Sequence, residues 1–163
     1  MAWQAITRGA NGIFFYSFYD IQRNPDVPFT AQWSILTAIA AEIERYAEVL
    51  LSDAGEAPAV AISESESQFS PSWLKARARW GDDGHFYLFV CNDGNGGGRV
   101  KITLGLGLVI DEGGVMVVSQ SPPRHLDLTS KFEFSDNIEA LDVVVYRLTT
   151  SSGRRAGSHE KVH

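Results

Sequence analysis

One stretch near the N-terminus constrains the fold of this chain more than any other. Residues 9–20 read GANGIFFYSFYD, and every position from Ile13 to Tyr19 except Ser17 is apolar or aromatic. Such a run lacks the alternation of polar and apolar residues that marks a strand with one face in water. It is typical of a central strand in a parallel sheet, which is covered on both faces. We therefore predict a buried strand over residues 13–19.

Helical patterns flank this predicted strand. Residues 2–8 fit the last turns of a helix, which Gly9 can end in the left-handed conformation. Residues 21–28 contain two prolines and are predicted to form a loop. From Phe29 to Leu51, apolar side chains recur at spacings of three and four, which predicts one long amphipathic helix with a stripe of Leu36, Ile39, Ile43, Tyr46 and Leu50. A lone helix–strand–helix unit of this kind cannot close a parallel sheet.

The pattern changes after residue 52. Residues 53–58 are interpreted as a linker, and beyond them short apolar runs alternate with turn sequences. The runs are Ala59–Ile62, Leu74–Trp80, Phe86–Cys91, Val100–Ile110, Val115–Val118, Leu126–Leu128, Phe132–Phe134 and Leu141–Leu148. This spacing predicts an antiparallel β-sandwich over residues 59–148, so the predicted fold class is α+β. Residues 149–163 have no apolar pattern and are predicted to be disordered.

The run from Leu74 to Trp80 alternates strictly. Its even-numbered residues are predicted to face the core, with three cationic side chains in water: Lys75, Arg77 and Arg79. The sequence Gly-Asp-Asp-Gly at 81–84 predicts a tight hairpin to the next strand.

The composition limits the classes of function. A hydrophobic content of 44% and a charged content of 21% are typical of a globular protein. The net charge of −6 argues against a nucleic-acid partner. No run approaches the roughly 18–20 apolar residues of a membrane span, and no signal peptide is visible in the chain. The single cysteine, Cys91, excludes an internal disulfide and is predicted to be a packed strand thiol.

The sequence does not match a phosphate-binding loop or a calcium-binding loop. The glycine-rich stretch 92–98 would need a following helix to bind a phosphate, yet a predicted strand follows. A calcium loop counted from Asp93 would need a glutamate where Leu104 stands. We therefore predict a flexible hairpin loop there. The four histidines have no metal-ligand spacing, so neither a metal nor another cofactor is predicted.

Aromatic residues supply the candidate binding site. Tyr16, Phe18, Tyr19 and Asp20 lie at the C-terminal end of the predicted strand, where ligands bind in parallel α/β folds. The simpler explanations are core packing for Tyr16 and Phe18, and capping of the next loop for Asp20. The tryptophans are spread over the chain and are expected mostly in the core, although one that faces solvent can stack on a sugar ring: Trp3, Trp33, Trp73 and Trp80.

Several of these segments resemble one family. Residues 2–18 look like the last helix-to-strand passage of glycoside-hydrolase-type TIM barrels, where an Arg-Gly-Ala-x-Gly-Ile turn, here residues 8–13, feeds the eighth strand. The helix from Thr30 to Leu51 is similar to the helix that closes such barrels. Three later runs resemble strands of the C-terminal β-sandwich that often follows the barrel: Trp73–Arg77, Tyr87–Asn92 and Leu141–Leu148.

The resemblance implies which parts of a barrel protein this chain would contain. Residues 1–52 would be the last, partial β/α unit, and residues 59–148 an accessory sandwich. In retaining enzymes of this type the acid/base carboxylate follows the fourth strand and the nucleophile the seventh. The chain is expected to begin after both, so no catalytic residue transfers and the chain alone is expected not to hydrolyse glycosides.

The resemblance also implies a ligand and a location. A poly- or oligosaccharide would be the ligand of the parent protein, and an extracellular or cell-surface location is expected. Only the eighth-strand positions transfer as sugar contacts: Tyr16, Phe18 and Tyr19, with Asp20 as a polar contact.

Two alternatives remain open at this stage. A carbohydrate-binding sandwich predicts exposed aromatic residues on one sheet face, such as Trp73 or Tyr87. A purely structural sandwich predicts no ligand site. If the chain is part of a barrel, its uncovered apolar strand over residues 13–19 predicts poor solubility or self-association of the isolated chain.

Overall fold

The computed structural model describes residues 2–15, 18–23, 25–53, 57, 60–64, 71–105 and 107–152. Within these ranges the helices are α1 (Ala2–Thr7), α2 (Phe18–Arg23), α3 (Phe29–Glu44) and α4 (Ala47–Leu50), with a 3₁₀ turn at Pro71–Trp73. The strands are β1 (Val60–Glu64), β2 (Leu74–Trp80), β3 (Phe86–Asn92), β4 (Gly98–Leu104), β5 (Val109–Val117), β6 (Arg124–Leu126), β7 (Leu128–Ser130), β8 (Glu133–Ile138) and β9 (Val143–Ser152).

These strands form two antiparallel sheets. One sheet has the order β1-β4-β8-β7 and the other β2-β3-β9-β5-β6. β2 and β3 pair along their whole length, from Leu74 opposite Asn92 to Trp80 opposite Phe86, through the predicted tight turn. The predicted α+β class with an antiparallel sandwich is confirmed.

The main core lies between the two sheets. Alternate residues of β3 and β4 point into it, among them Phe86, Leu88, Val100 and Ile102, all fully buried. Each such side chain contributes about 1.5–3 kcal/mol when it leaves water. Period-two alternation over many short strands therefore accounts for the sandwich.

A second core covers the outer face of the five-stranded sheet. Trp3 and Ile6 of α1, with Tyr46 and Leu50 near α4, pack against the outward side chains of β3. The rings of Trp3 and Phe89 stack at 6.0 Å. All seven residues of β3 are consequently buried, which makes β3 a strand covered on both faces.

The strand predicted over residues 13–19 is wrong for the part that the structure describes. Residues 12–15 have no regular structure, and α2 begins at Phe18. Phe14 is 90% exposed. A strand needs a neighbour to pair its backbone N–H and C=O groups, and no strand among the described residues lies beside this segment. A helix satisfies these groups within its own segment, and residues 18–23 adopt one.

The single long helix predicted from Phe29 to Leu51 is interrupted. α3 ends at Glu44, and the backbone at Tyr46 leaves the helical region (φ −108°, ψ 10°) before α4 starts. The Tyr46 ring packs 5.6 Å from the ring of Phe89, and its hydroxyl donates to the Val118 carbonyl at 3.2 Å. Tertiary packing of this one side chain therefore accompanies the break in an otherwise continuous helical pattern.

Two of the three cationic side chains predicted to face water are buried. Arg77 and Arg79 are each 7% exposed, because α1 and α4 cover the outward face of β2. Arg77 donates to the carbonyls of Ile6 and Ala10 at 3.2 and 2.9 Å. Arg79 donates to backbone carbonyls at the C-terminal end of α4 in the same way. Leu74, Ala78 and Trp80 pack against the main core as predicted, but Ala76 is exposed and the outer face of β2 is a helix-packing face.

The loop after β3 also differs from the prediction. β3 and β4 belong to different sheets, so residues 93–97 connect the sheets and do not form a hairpin. The Asn92 side-chain amide donates to the carbonyls of Gly96 and Glu139 at 2.8 and 2.7 Å. The loop is therefore tied to the chain that precedes β9.

The C-terminal boundary lies later than predicted. β9 continues to Ser152, so the disorder predicted from residue 149 is wrong for residues 149–152. Residues 153–163 lie outside the described residues. Cys91 is buried as predicted, and burial raises the pKa of its thiol.

Candidate functional site

The predicted site residues lie on a helix and not at the end of a strand. Phe18, Tyr19 and Asp20 form the first turn of α2, and Tyr16 lies outside the described residues. Asp20 in the first turn is favourable, because a carboxylate offsets the positive end of the helix dipole. All three described side chains are exposed, Tyr19 to 65%.

α2 places its aromatic residues against the start of α3. The ring centroid of Phe18 lies 5.3 Å from that of Phe29 and 5.9 Å from that of Trp33, both edge to face. Phe29 and Trp33 stack at 5.8 Å, one helical turn apart. We call Phe18, Tyr19, Phe29 and Trp33 the aromatic cluster. Pairs of this geometry contribute about 0.5–1.5 kcal/mol each beyond the burial of their area.

A polar contact and a cation complete the cluster. The side-chain amide of Gln32 donates to the Val27 carbonyl at 2.9 Å, which ties the loop before α3 to that helix. The Arg23 guanidinium lies 5.9 Å from the centre of the Tyr19 ring, within cation–π range. α2 and α3 thus form a small helical hairpin with its aromatic side chains outward.

α3 has the composition of a buried helix but does not bury any residue. No charged residue occurs from Phe29 to Ala41, and Trp33 is 45% exposed. Seven of the ten exposed large hydrophobic residues in the described chain fall within residues 14–35. A concentration of apolar exposure of this kind marks an interaction surface. We call the exposed apolar residues of this segment the α2–α3 surface: Phe14, Phe15, Phe18, Tyr19, Val27, Trp33 and Ile35.

The aromatic residues predicted as exposed on a sandwich face are packed. The Trp73 ring lies against the main core and over Gly94, and Tyr87 is buried. The Tyr87 hydroxyl donates to a carboxylate oxygen of Asp83 at 2.8 Å. Burial, with this hydrogen bond, raises the pKa of Tyr87 to about 12. The prediction that Trp73 or Tyr87 offers an exposed sugar platform is therefore wrong.

Two members of the aromatic cluster were not among the predicted site residues. Phe29 was assigned only as the start of a helix, and Trp33 was expected in the core. Their spacing of four residues puts both on one helix face, and neither belongs to the stripe that runs from Leu36 to Leu50. The spacing of Phe29 and Trp33 was therefore the sequence signal for a second apolar face on this helix.

The chemistry open to this site is binding through ring faces and one exposed carboxylate. Among the described residues, no group of three or more histidine, cysteine, aspartate or glutamate side chains could hold a metal ion. No helix in the described ranges is long and apolar enough to cross a membrane.

Comparison with protein-family models and with curated protein sequences found no match. Among solved structures, the chain is loosely similar to the catalytic domain of GH30 xylanase C from Talaromyces cellulolyticus. The TM-score is 0.37 and the sequence identity 17%, over 51% of this chain and 19% of that chain. The chain thus spans about a fifth of the length of that structure.

Proposed function

We propose that this chain is part of a glycoside-hydrolase-like carbohydrate-active protein and is not catalytic without the rest of it. Residues 1–52 would be the last β/α unit of a TIM-type barrel and residues 59–148 its accessory sandwich, joined by residues 53–58. The resemblance of residues 2–18 and 30–51 to the end of such barrels supports the assignment. The observation that carries the proposal is α3, a helix with a charge-free first part and no buried residue.

The α2–α3 surface is what an incomplete barrel would leave uncovered. In a barrel, neighbouring strands would pair with the backbone of residues 13–19, and neighbouring helices would cover α3. Phe14 and Trp33 would then lose their exposure to water. The apolar run would become the strand that its composition favours.

The packing of α1 and α4 supports a rigid connection between the two proposed units. Both helices bury side chains against β3 through Trp3, Ile6 and Leu50. The N-terminal unit is thus held on the outer face of the five-stranded sheet. A sandwich attached in this way would buttress the end of a barrel.

Carbohydrate contact is proposed for Phe18 and Tyr19, with Asp20 as a polar partner and Tyr16 as a further member outside the described residues. Aromatic rings offer large flat apolar faces, and a nearby carboxylate accepts hydrogen bonds from hydroxyl groups. Hydrolysis needs two carboxyl groups on opposite sides of the glycosidic bond. Asp20 is the one carboxylate of α2.

Titration of the chain with xylo-, cello-, manno- and chito-hexaose tests the carbohydrate role. We expect a saturable change in the fluorescence of Trp33, which lies in the aromatic cluster, and no release of reducing ends. Tyr19→Ala should remove the change, whereas Phe132→Ala, which alters an exposed aromatic residue outside the cluster, should retain it. No change with any of the four sugars would contradict the role in carbohydrate binding.

Hydrolysis would contradict the second part of the proposal. If the purified chain releases reducing ends and Asp20→Asn abolishes that activity, the chain is catalytic without further segments.

A purely structural role is the second candidate for the sandwich. The burial of Tyr87 and the packing of Trp73 over Gly94 favour it, because both side chains serve the fold. On this assignment a sandwich expressed as residues 57–152 would not respond to any of the four sugars.

A further inference from the structure

A groove separate from the α2–α3 surface lies on the outer face of the five-stranded sheet. Its volume is about 640 Å³, and it runs between α4 and the turn that joins β2 to β3. Tyr87 of β3 and Arg147 of β9 are directly opposite each other across their strands and form its floor. Leu51, Val49 and Val118 supply apolar walls.

Two arginines in this groove have no carboxylate partner. None of the ion pairs among the described residues includes Arg45 or Arg147. Arg45 is exposed at the rim, whereas Arg147 is half-buried in the floor. One Arg147 nitrogen lies 3.6 Å from the sulfur of Met116, which is a weak acceptor. The Arg147 guanidinium also lies beside the Tyr87 hydroxyl. These two contacts engage only part of its five donors, and the half-buried group lines the groove.

The carboxylates of the turn already accept hydrogen bonds from neighbouring residues. Asp82 accepts a hydrogen bond from the Ser52 hydroxyl at 2.6 Å. Asp83 accepts from the Tyr87 hydroxyl at 2.8 Å and from the backbone N–H of His85 at 3.0 Å. Glu48, exposed on the rim, is the remaining acidic side chain of the lining, and it disfavours an anion at its own end of the groove. Arg45 and Arg147 are the two cationic side chains of the lining, so an anion is favoured beside them.

We propose that this groove binds a small organic anion with a carboxylate beside a compact apolar body. The carboxylate would accept two parallel hydrogen bonds from Arg147, the geometry for which a guanidinium fork is suited. Arg45 would add charge at the rim. The apolar body would lie against Leu51, which is 62% exposed, and Val118. This inference does not depend on the proposed role in carbohydrate binding.

Calorimetric titration of the whole chain with cyclohexanecarboxylate tests the proposal. Cyclohexanecarboxamide is the neutral control of the same shape, and acetate is the control without the apolar body. We expect saturable binding of cyclohexanecarboxylate, with affinity for each control lower by about tenfold or more, since charge-assisted hydrogen bonds and apolar burial each contribute that much. Equal affinity for the carboxylate and the carboxamide, or no binding of the carboxylate, would overturn the proposal.

Substitutions in the groove test where the carboxylate binds. Arg147→Met keeps the aliphatic length without the charge and should weaken binding of cyclohexanecarboxylate about tenfold or more. Lys131→Met removes an exposed cation outside the groove and should leave binding unchanged. If Arg147→Met does not fold, Arg45→Gln at the exposed rim provides the test. It should lower the affinity for cyclohexanecarboxylate and make that affinity depend less on salt concentration. Binding that is unchanged in the variant measured would overturn the assignment.

Discussion

Arg77 and Arg79 show how one strand holds two helices in place. Arg79 donates to the carbonyls of Val49 and Ser52 at 3.0 and 2.7 Å, at the C-terminal end of α4. The last carbonyls of a helix have no partner within it, and a cation there also offsets the negative end of the helix dipole. Arg77 does the same at the end of α1, where it also binds the Asn11 side chain at 2.9 Å. These arginines stabilise helix ends and are not available for ligands.

Replacing Arg79 should therefore destabilise the fold. Arg79→Met removes two hydrogen bonds at the end of α4, including the one to the Ser52 carbonyl, and we expect a loss of about 2–3 kcal/mol in the free energy of unfolding. Urea denaturation measures it. Lys131→Met, which removes an exposed cation, should change stability by less than about 0.5 kcal/mol. Equal stability of the two variants would refute the role given to Arg79.

The buried Tyr87 side chain predicts that the stability of the fold depends on pH in the alkaline range. Burial raises its pKa in the folded chain to about 12, from the ordinary tyrosine value of 10.0. Neutral Tyr87 is favoured in the folded state, so its contribution to the free energy of unfolding is complete below pH 10. Between about pH 10 and 12 that contribution is lost, because the tyrosine ionises first in the unfolded state. Wild type should lose about 2 kcal/mol more over this window than Tyr87→Phe. Tyr19→Phe, at an exposed tyrosine, should follow wild type, and parallel curves for all three would contradict the prediction.

The connection from β3 to β4 depends on close contact between a loop and a side chain. A Cβ atom added at Gly94 would lie 2.1 Å from the Trp73 ring, closer than atoms can approach. The loop also receives a hydrogen bond from the Leu141 N–H at the Gly94 carbonyl, at 3.1 Å. The glycine is therefore required by packing and not by loop flexibility.

Gly94→Ala should displace Trp73 and cost about 1–3 kcal/mol of stability. Gly12→Ala is the matched control, because a Cβ atom there meets nothing within 4 Å. The midpoint of thermal unfolding distinguishes them. An unchanged midpoint for Gly94→Ala would show that the ring can move at no cost.

α1 illustrates how local sequence signals and packing combine. Gly9 has a φ of 103°, and the N–H groups of Gly9 and Ala10 donate to the carbonyls of Ile6 and Ala5 at 3.0 and 2.9 Å. This is the hydrogen-bond pattern that ends helices at a left-handed glycine, as the sequence predicted. The side of α1 that is buried depends on β3, a strand almost eighty residues later, which no local pattern could indicate.

The molecule combines a well-buried sandwich with an apolar helical hairpin that the other described residues leave exposed. The α2–α3 surface consists of apolar and aromatic side chains, so two copies of the chain can meet there with little charge repulsion. Self-association of the chain, predicted from the sequence for residues 13–19, remains a prediction. We expect the exposed side chains of α2 and α3 to take part in it.

Light scattering after size-exclusion chromatography tests this prediction. We expect the apparent mass to rise with protein concentration, and Trp33→Gln combined with Ile35→Gln to lower it towards the monomer. Phe132→Gln, at an exposed apolar residue outside the surface, should behave as wild type. A monomeric wild type over the whole concentration range would rule out association through this surface.

The candidate site was predictable only in part. Residue types predict Phe18, Tyr19 and Asp20 as contacts, and the structure shows all three exposed. Their role in binding stays a prediction. Their position on a helix was not predicted, because the apolar run was assigned to a strand. Phe29 and Trp33 join them through a turn of the chain that sequence spacing does not encode.

The antiparallel sandwich followed from the amino-acid pattern alone, because side chains on successive strand residues point to opposite faces and the pattern is local. Which apolar run is covered on both faces did not. Residues 86–91 and 13–19 are alike in composition, yet only the former has β2 and β9 beside it and helices over it. Burial of a strand depends on hydrogen-bonding neighbours and covering layers supplied by distant residues. That is why the packed structure places Phe89 in a core and leaves Phe14 in water.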